Sequence, residues 1–557
     1  MKTNIKIYIT IALVAVAGLW SCSDDFLEKK PLDSFSEVDV FADAALLTDF
    51  VNGTYRGVRH PFDDSENSLT DGLTDNAFNQ HGSADAIIKV YTRGEVNPDN
   101  GEGVTRQLWN STYEYIKRTN LFFEKIEDSP IEAVDRTRLE GQMHFLRAFY
   151  YFELFRWYGN VPLITRTFTL GEGSFDVETT PAQEIGAFIV SECDIAISQL
   201  ASSADPGYQL GRASQEAAMA LKARTLLYLA SPLFNPGNDQ DKWIAARDAN
   251  KAVMELPQYN LVDNASQYGD MFRGENSDEV IWARYFTAVN DQGWGINVWL
   301  FPNSEGGWSN TTPTQDLVDS YALTTGELPA DEPTYDPQNP YVDRDPRFYE
   351  SILYNGAPFK GAEYEPWVDK AEPANPDKAG KDSPSSPISR HNASRTGYTF
   401  RKWTQESVGW DAGNKGPWII FRLGEFYLNY AEAEIALGNE DEARTAISDI
   451  RGRVGMPDVT ETGPDLVEKY RAERRVELVL EDHRFFDIRR WKIGPETIGQ
   501  PAMGVTIYNN GGTMEYDYSR VADNTRAWHD KMYLLPIPQT EIERSHNTLT
   551  QNDLYGN

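Results

Sequence analysis

Cysteine is almost absent: 557 residues contain two, Cys22 and Cys193. That scarcity excludes a disulfide-stapled scaffold, so a hydrophobic core has to hold the chain together. Basic residues are also few, 52 Lys and Arg against 85 Asp and Glu, for a formal net charge of −33. Nucleic-acid binding draws on Lys and Arg neutralising phosphates, and no basic run here is long enough to invert the field, so nucleic acid is excluded as a partner. The seven histidines show no metal-ligand spacing. HExxH, a GxSxG elbow and a P-loop are missing, and Gly293-Trp294-Gly295 lacks the third glycine and the βαβ setting of a dinucleotide loop. Asp63, Asp64, Glu66, Asp71 and Asp75 crowd one stretch without EF-hand spacing or its central glycine. The expectation is a chain with no resident metal, no cofactor and no catalytic signature.

Long apolar runs are missing too, beyond the N-terminus. There, Lys2 and Lys6 precede an apolar run from Ile7 to Trp20, too short for a stable span and suited to a secretory signal. Leu19-Trp20-Ser21-Cys22 resembles a bacterial lipobox, with Trp20 where a small residue is usual. The resemblance implies a signal peptide over residues 1–21 and a lipid on Cys22. Ser23-Asp24-Asp25 resembles the signal that sends lipoproteins of Bacteroidetes-like bacteria to the outer face of the outer membrane. Cys193, left without a partner, reads as a small buried hydrophobe.

What is abundant is aromatic: 14 Trp, 28 Tyr and 26 Phe in a chain that is 40% hydrophobic. Such content excludes disorder, exceeds the needs of core packing, and supplies flat faces for flat ligands. Length alone suggests three or four domains, or one large one.

After a polar tether over residues 22–35, helical periodicity dominates. Ser36 and Asp39 read as the cap of a helix bearing Phe41, Leu46, Leu47, Phe50 and Val51. Pro61 to His81 reads as loop. Leu108 to Ile126 and Val134 to Trp157 read as helices, the second with aromatics around much of its circumference and so buried on several sides. Ala217 to Leu229 followed by Ala245, Ala249, Ala252 and Pro257, and Phe426 to Leu437 followed by Glu440 to Arg451, have the small-residue spacing of tetratricopeptide pairs; generic Ala-rich pairs are the plainer reading. Ala182 to Leu200 reads as a degenerate copy. From Asp263 to Trp418 Pro, Gly, Asn and Trp become frequent, with a strand-like run at Val280 to Tyr285. Ala371 to Pro387 reads as a mobile surface loop.

Several segments resemble one family, the SusD/RagB outer-membrane lipoproteins. The helix His144 to Tyr158 with Gly159-Asn160 and Val161-Pro162-Leu163 resembles its N-terminal hallmark. Pro313 to Tyr321, Arg344 to Phe348, Thr396-Gly397-Tyr398, Arg401-Lys402-Trp403, Arg422 to Ala433, Arg474 to Leu478, His483 to Asp487, Arg489-Arg490-Trp491 and Leu535-Pro536-Ile537-Pro538 follow in the family's order. The resemblance implies a mainly α fold: tetratricopeptide-like pairs in a right-handed helical scaffold over residues 36–262. A loop-rich, minor-β part over 263–557 packs on it and contains a further helix pair. It implies a non-catalytic, surface-exposed lipoprotein that captures oligo- or polysaccharide for a SusC-like TonB-dependent transporter. A peptide-binding subunit and a surface glycoside hydrolase are the alternatives.

Sugar rings offer C–H faces to aromatics and hydroxyls to polar groups, so a glycan site needs several stackers in line. By the resemblance, the arc comes from Asp75 to Tyr91 and from Asp291 to Trp308. The stackers are then Trp294, Trp299 and Trp308, with Trp410 in reserve and Asn79, Gln80 and His81 as hydrogen-bonding groups. Trp299 lies in the apolar run Ile296 to Phe301, so core burial competes with binding. Asp75 fits a structural role equally well. Trp109, Trp157, Trp403, Trp418 and Trp491 lie in motif elements and read as core.

Overall fold

The computed structural model describes residues 37–59, 70–81, 90–100, 105–169, 176–286, 295–522 and 525–555. The signal-peptide and tether assignments, Cys22 and Trp294 fall outside these residues. Among the described residues no helix is long and apolar enough to cross a membrane.

The fold is mainly α. The helices are α1 (Glu37–Ala42), α2 (Ala44–Thr54), α3 (Thr105–Lys125), α4 (Ala133–Tyr158), α5 (Ala182–Gln199), α6 (Gln215–Ala230), α7 (Gln240–Met254) and α8 (Ala265–Arg273). They continue with α9 (Ile296–Leu300), α10 (Gln315–Ser320), α11 (Pro346–Ser351), α12 (Leu423–Leu437), α13 (Glu440–Gly452), α14 (Gly463–Glu477), α15 (Arg484–Arg490) and α16 (Gln539–Arg544). The first expected helix is broken in two. Asp43 accepts from the amides of Ala45 and Leu46, 2.9 Å each, so α2 starts on its own cap.

Each helix from α4 to α7 packs on the next, and α7 then packs on α12, which packs on α13. Small residues allow the close approach: Leu227, Ala230, Trp243 and Ala246 meet Ala433 in one apolar cluster. The two helix pairs read from the sequence therefore share one stack, and the intervening loop-rich chain contributes most of a second core. Helix α4 is buried along most of its length from Leu139 to Tyr158, because α3, α5 and α6 pack on it and its polar side chains His144 and Arg147 are paired with Glu192 of α5. It stops at Gly159, whose φ of +70° few other residues adopt and where a Cβ would come within 2.8 Å of Leu534.

Sheets are small. β1 (Ala77–Asn79) pairs antiparallel with β3 (Thr311–Pro313), and β2 (Val280–Arg284) with β5 (Trp418–Arg422). The hairpin β6 (Met503–Asn510) and β7 (Thr513–Arg520) takes on the two-residue β4 (Val368–Asp369) beside β6. Residues 352–353 pair with 399–400, and 358–359 with 362–363.

One loop reading is corrected: residues 77–79, expected within a loop, form β1. The segment from Ala371 to Pro387 is a surface loop, mostly exposed over its first half, and is tied down further on by Asp382, which is buried and accepts from the amides of Ser304 (2.7 Å) and Glu365 (3.0 Å), with Ser383 and Ser386 buried beside it. Trp109, Trp157, Trp403, Trp418, Trp491 and Cys193 are all buried, as read.

Candidate functional site

The region that presents aromatic rings to solvent starts from α9. Its apolar residues Ile296 and Leu300 are buried in the second core, and Trp299 packs half-buried against it. The chain then doubles back. Trp308 N donates to Val298 O (2.8 Å), and Asn310 N to Trp299 O (2.7 Å). Two glycines permit the reversal: Gly306 has φ +82°, and a Cβ on Gly307 would lie 2.2 Å from the carbonyl oxygen of Phe301. The fold-back sets the Trp308 ring edge-to-face on Trp299, with centroids 4.9 Å apart, a favoured geometry for aromatic pairs. Trp308 keeps 39% of its surface exposed. Trp410, 41% exposed, lies against Gly306, where an added Cβ would come within 2.4 Å of its indole. Three of the four tryptophans read from the sequence are thus gathered around one short loop.

The loop is clamped from beneath by the end of β1. Gln80 N donates to Asn310 O and His81 N to Asn310 Oδ1, 3.0 Å each. The His81 ring nitrogen is 2.9 Å from Trp308 O. The Gln80 side chain donates to Ala393 O and accepts from Arg395 N, both at 3.0 Å. The His81 ring also packs on His391, with centroids 4.5 Å apart.

This changes the assignment of the polar residues. Asn79, Gln80 and His81, expected to hydrogen-bond a ligand, are buried at 3–4% exposure; the amide of Gln80 is spent on backbone, so it ties loops together instead of facing outward. Tyr91 is buried in the helical core, away from the aromatic loop, because the one-turn segment that carries it packs on that core. Asp75 is a structural anchor: Arg484 grips it with two hydrogen bonds of 2.9 and 2.7 Å, and Arg475 lies at 3.2 Å. Burial raises its carboxyl, but the two guanidiniums outweigh this and hold it well below the usual carboxylate range. Asp71 is buried too and accepts from Asn76 at 2.7 Å, and desolvation pushes its carboxyl up to about 6. Among the described residues, no group of three or more His, Cys, Asp or Glu is placed to hold a metal ion.

Sequence reasoning missed Asn310, His391 and Arg395 as parts of this frame. Their partners lie more than two hundred residues away in the chain, and no local pattern marks them; the Gly-Gly before Trp308 is the one signal that pointed to the loop.

Two family profiles match the chain: "SusD family" over residues 278–555 and "Starch-binding associating with outer membrane" over residues 25–229. SusD-like protein P38 of Formosa agariphila is 25% identical over 550 residues, spanning 91% of this chain and 95% of that protein. The crystal structure of a SusD-like protein from Bacteroides fragilis is 28% identical, with a TM-score of 0.76 over 94% of this chain and 100% of its own. A SusD-like carbohydrate binding protein from the same organism is 28% identical, with a TM-score of 0.73 over 92% and 99%. Taken with the helix stack and the motif order, these matches lead to one conclusion: the chain belongs to the SusD/RagB family.

Proposed function

We propose that this protein captures an oligosaccharide on the face formed by Trp299, Trp308 and Trp410 and passes it, uncut, to a TonB-dependent transporter of the outer membrane. The observation that carries the reading is the pair of exposed indoles, Trp308 on a loop whose backbone is tied at several points and Trp410 lying against Gly306 of that loop. Indole faces are suited to sugar C–H faces, and a preorganised loop lowers the ordering cost of binding. The similarity to a SusD-like carbohydrate binding protein supports the same ligand class. The lipid on Cys22 would hold the protein at the cell exterior, and the similarity to starch-binding proteins associating with the outer membrane supports an outer-membrane location.

Affinity electrophoresis against a panel of polysaccharides, followed by calorimetry with the retained one, tests the reading. Trp308→Ala should weaken binding about tenfold, since one stack contributes ~0.5–1.5 kcal/mol beyond its buried area, and should lower the melting temperature by no more than about 2–4 °C, the cost of the lost contact with Trp299. Retention of peptides with no glycan retained, or steady release of reducing ends from the polysaccharide, would overturn it.

A further inference from the structure

A second concavity lies on the helical half, between α3, the extended segment 162–169 and α16. It encloses about 680 Å³, within the usual range for small-molecule sites. Trp109, Ile116, Pro162, Ile164, Val177 and Leu549 supply apolar lining. Several polar groups of the lining are already engaged. The Tyr113 hydroxyl donates to Pro162 O (2.8 Å), Asn120 to Ile164 O and Arg166 O (2.9 and 3.2 Å), Thr167 to Glu124 (2.6 Å) and Ser545 to Ile542 O (2.8 Å). A hydroxyl-rich ligand would find few partners there. Among the described residues, Lys117, Arg166 and Arg544 line the groove with one carboxylate, Glu541, which pairs with Arg544 at 2.5 Å, while Glu124 holds Thr167 at 2.6 Å. Lys117 is exposed and has no ion-pair partner among the described residues. In a protein of net charge −33, an exposed lysine beside an apolar floor is selective for one combination of properties.

We infer that this groove binds an amphipathic anion, an alkyl chain with a carboxylate or phosphate head, with the chain on the apolar floor and the head at Lys117. The site is separate from the aromatic face and does not rest on the glycan reading. Calorimetric titration of the protein with dodecanoate below its micellar concentration should give one saturable site. Dodecyltrimethylammonium, with the same chain and the opposite head, should bind more weakly despite the acidic protein. Dodecyl phosphate in a parallel titration identifies the head group: the tighter of the two anions is the one the groove prefers. Ile164→Trp, which fills the groove from a half-buried position, should abolish the site. Lys117→Gln, an exposed change that leaves the fold intact, should weaken binding about two- to fivefold, the size of an exposed ion pair. Absence of saturable binding by both anions, equal or tighter binding of the cation, or wild-type affinity in Lys117→Gln would overturn the inference. So would wild-type affinity in an Ile164→Trp protein of unchanged melting temperature.

Discussion

Around α14, charged side chains fill the interior, whereas in the loop from Phe301 to Asn310 a large aromatic ring faces water. Arg347, Lys402, Arg422, Arg451 and Arg453 are matched there by Glu279, Asp345, Glu473, Glu477 and Glu481 in one connected set of ion pairs, all of them nearly inaccessible to solvent. Glu477 is the hub, accepting from Arg347 (2.7 Å), Arg422 (2.6 Å) and Arg453. The two regions teach that residue type did not decide burial; partners did. Charges can be interior where each finds an opposite charge and hydrogen bonds, and an indole can be exterior where a neighbour already supports one of its edges. The motif-rich segments from Arg422 to Ala433 and from Arg474 to Trp491 therefore maintain the frame, and the motif-poor loop carries the candidate site.

The sharpest test of that contrast is Glu477→Gln. It should destabilise the protein by about 3–5 kcal/mol, because it leaves one buried positive charge of the set without its counter-charge. A denaturant melt reads this, and a loss under 1 kcal/mol would break the comparison. Acid provides the next test. Burial raises the Glu432 carboxyl, but the two-point contact with Arg490 and the hydrogen bond from Tyr470 outweigh it and bring it from 4.5 down to about 2. Its stabilisation is present above pH 4.5 and is lost as pH falls toward 2, about 3 kcal/mol in all. Thermal melts across that window should show the decline, and the profile of a Glu432→Gln variant should be flatter by that amount. Gln80→Ala probes the junction of the two regimes. It leaves Ala393 O and Arg395 N unpaired, at about 1–3 kcal/mol of stability, and should also lower glycan affinity by releasing the Trp308 loop; unchanged stability would show that the clamp is idle. The smallest effect belongs to Trp410→Ala: a two- to fivefold loss of affinity, about 0.5–1 kcal/mol, with no change in melting temperature.

Helices were legible wherever the pattern was long. The expected Val134 to Trp157 appears as Ala133–Tyr158, and Phe426 to Leu437 as Leu423–Leu437, because periodic apolar residues and terminal glycines are local signals. Strand β1 was not legible. Three residues carry no period, and Phe78 is a strand residue only through Thr312, 234 positions away. The same holds at the site. Trp308 could be read as exposed from its glycine and serine neighbours, whereas the burial of Gln80 and His81 depends on Asn310 and Ala393, which no window around residue 80 contains.

The amino-acid order by itself determined the helical elements, the tryptophans that fill the core and the family to which the chain belongs, since these rest on short-range periodicity and on motif succession. Tertiary structure alone decided that five carboxylates and five cations close on one another inside, that the second helix pair completes the first, and that Gln80 and His81 are buried against the loop. The physical reason is separation along the chain. Burial and pairing are set by atoms that approach only after folding, and their energies depend on the dielectric and the partners found there.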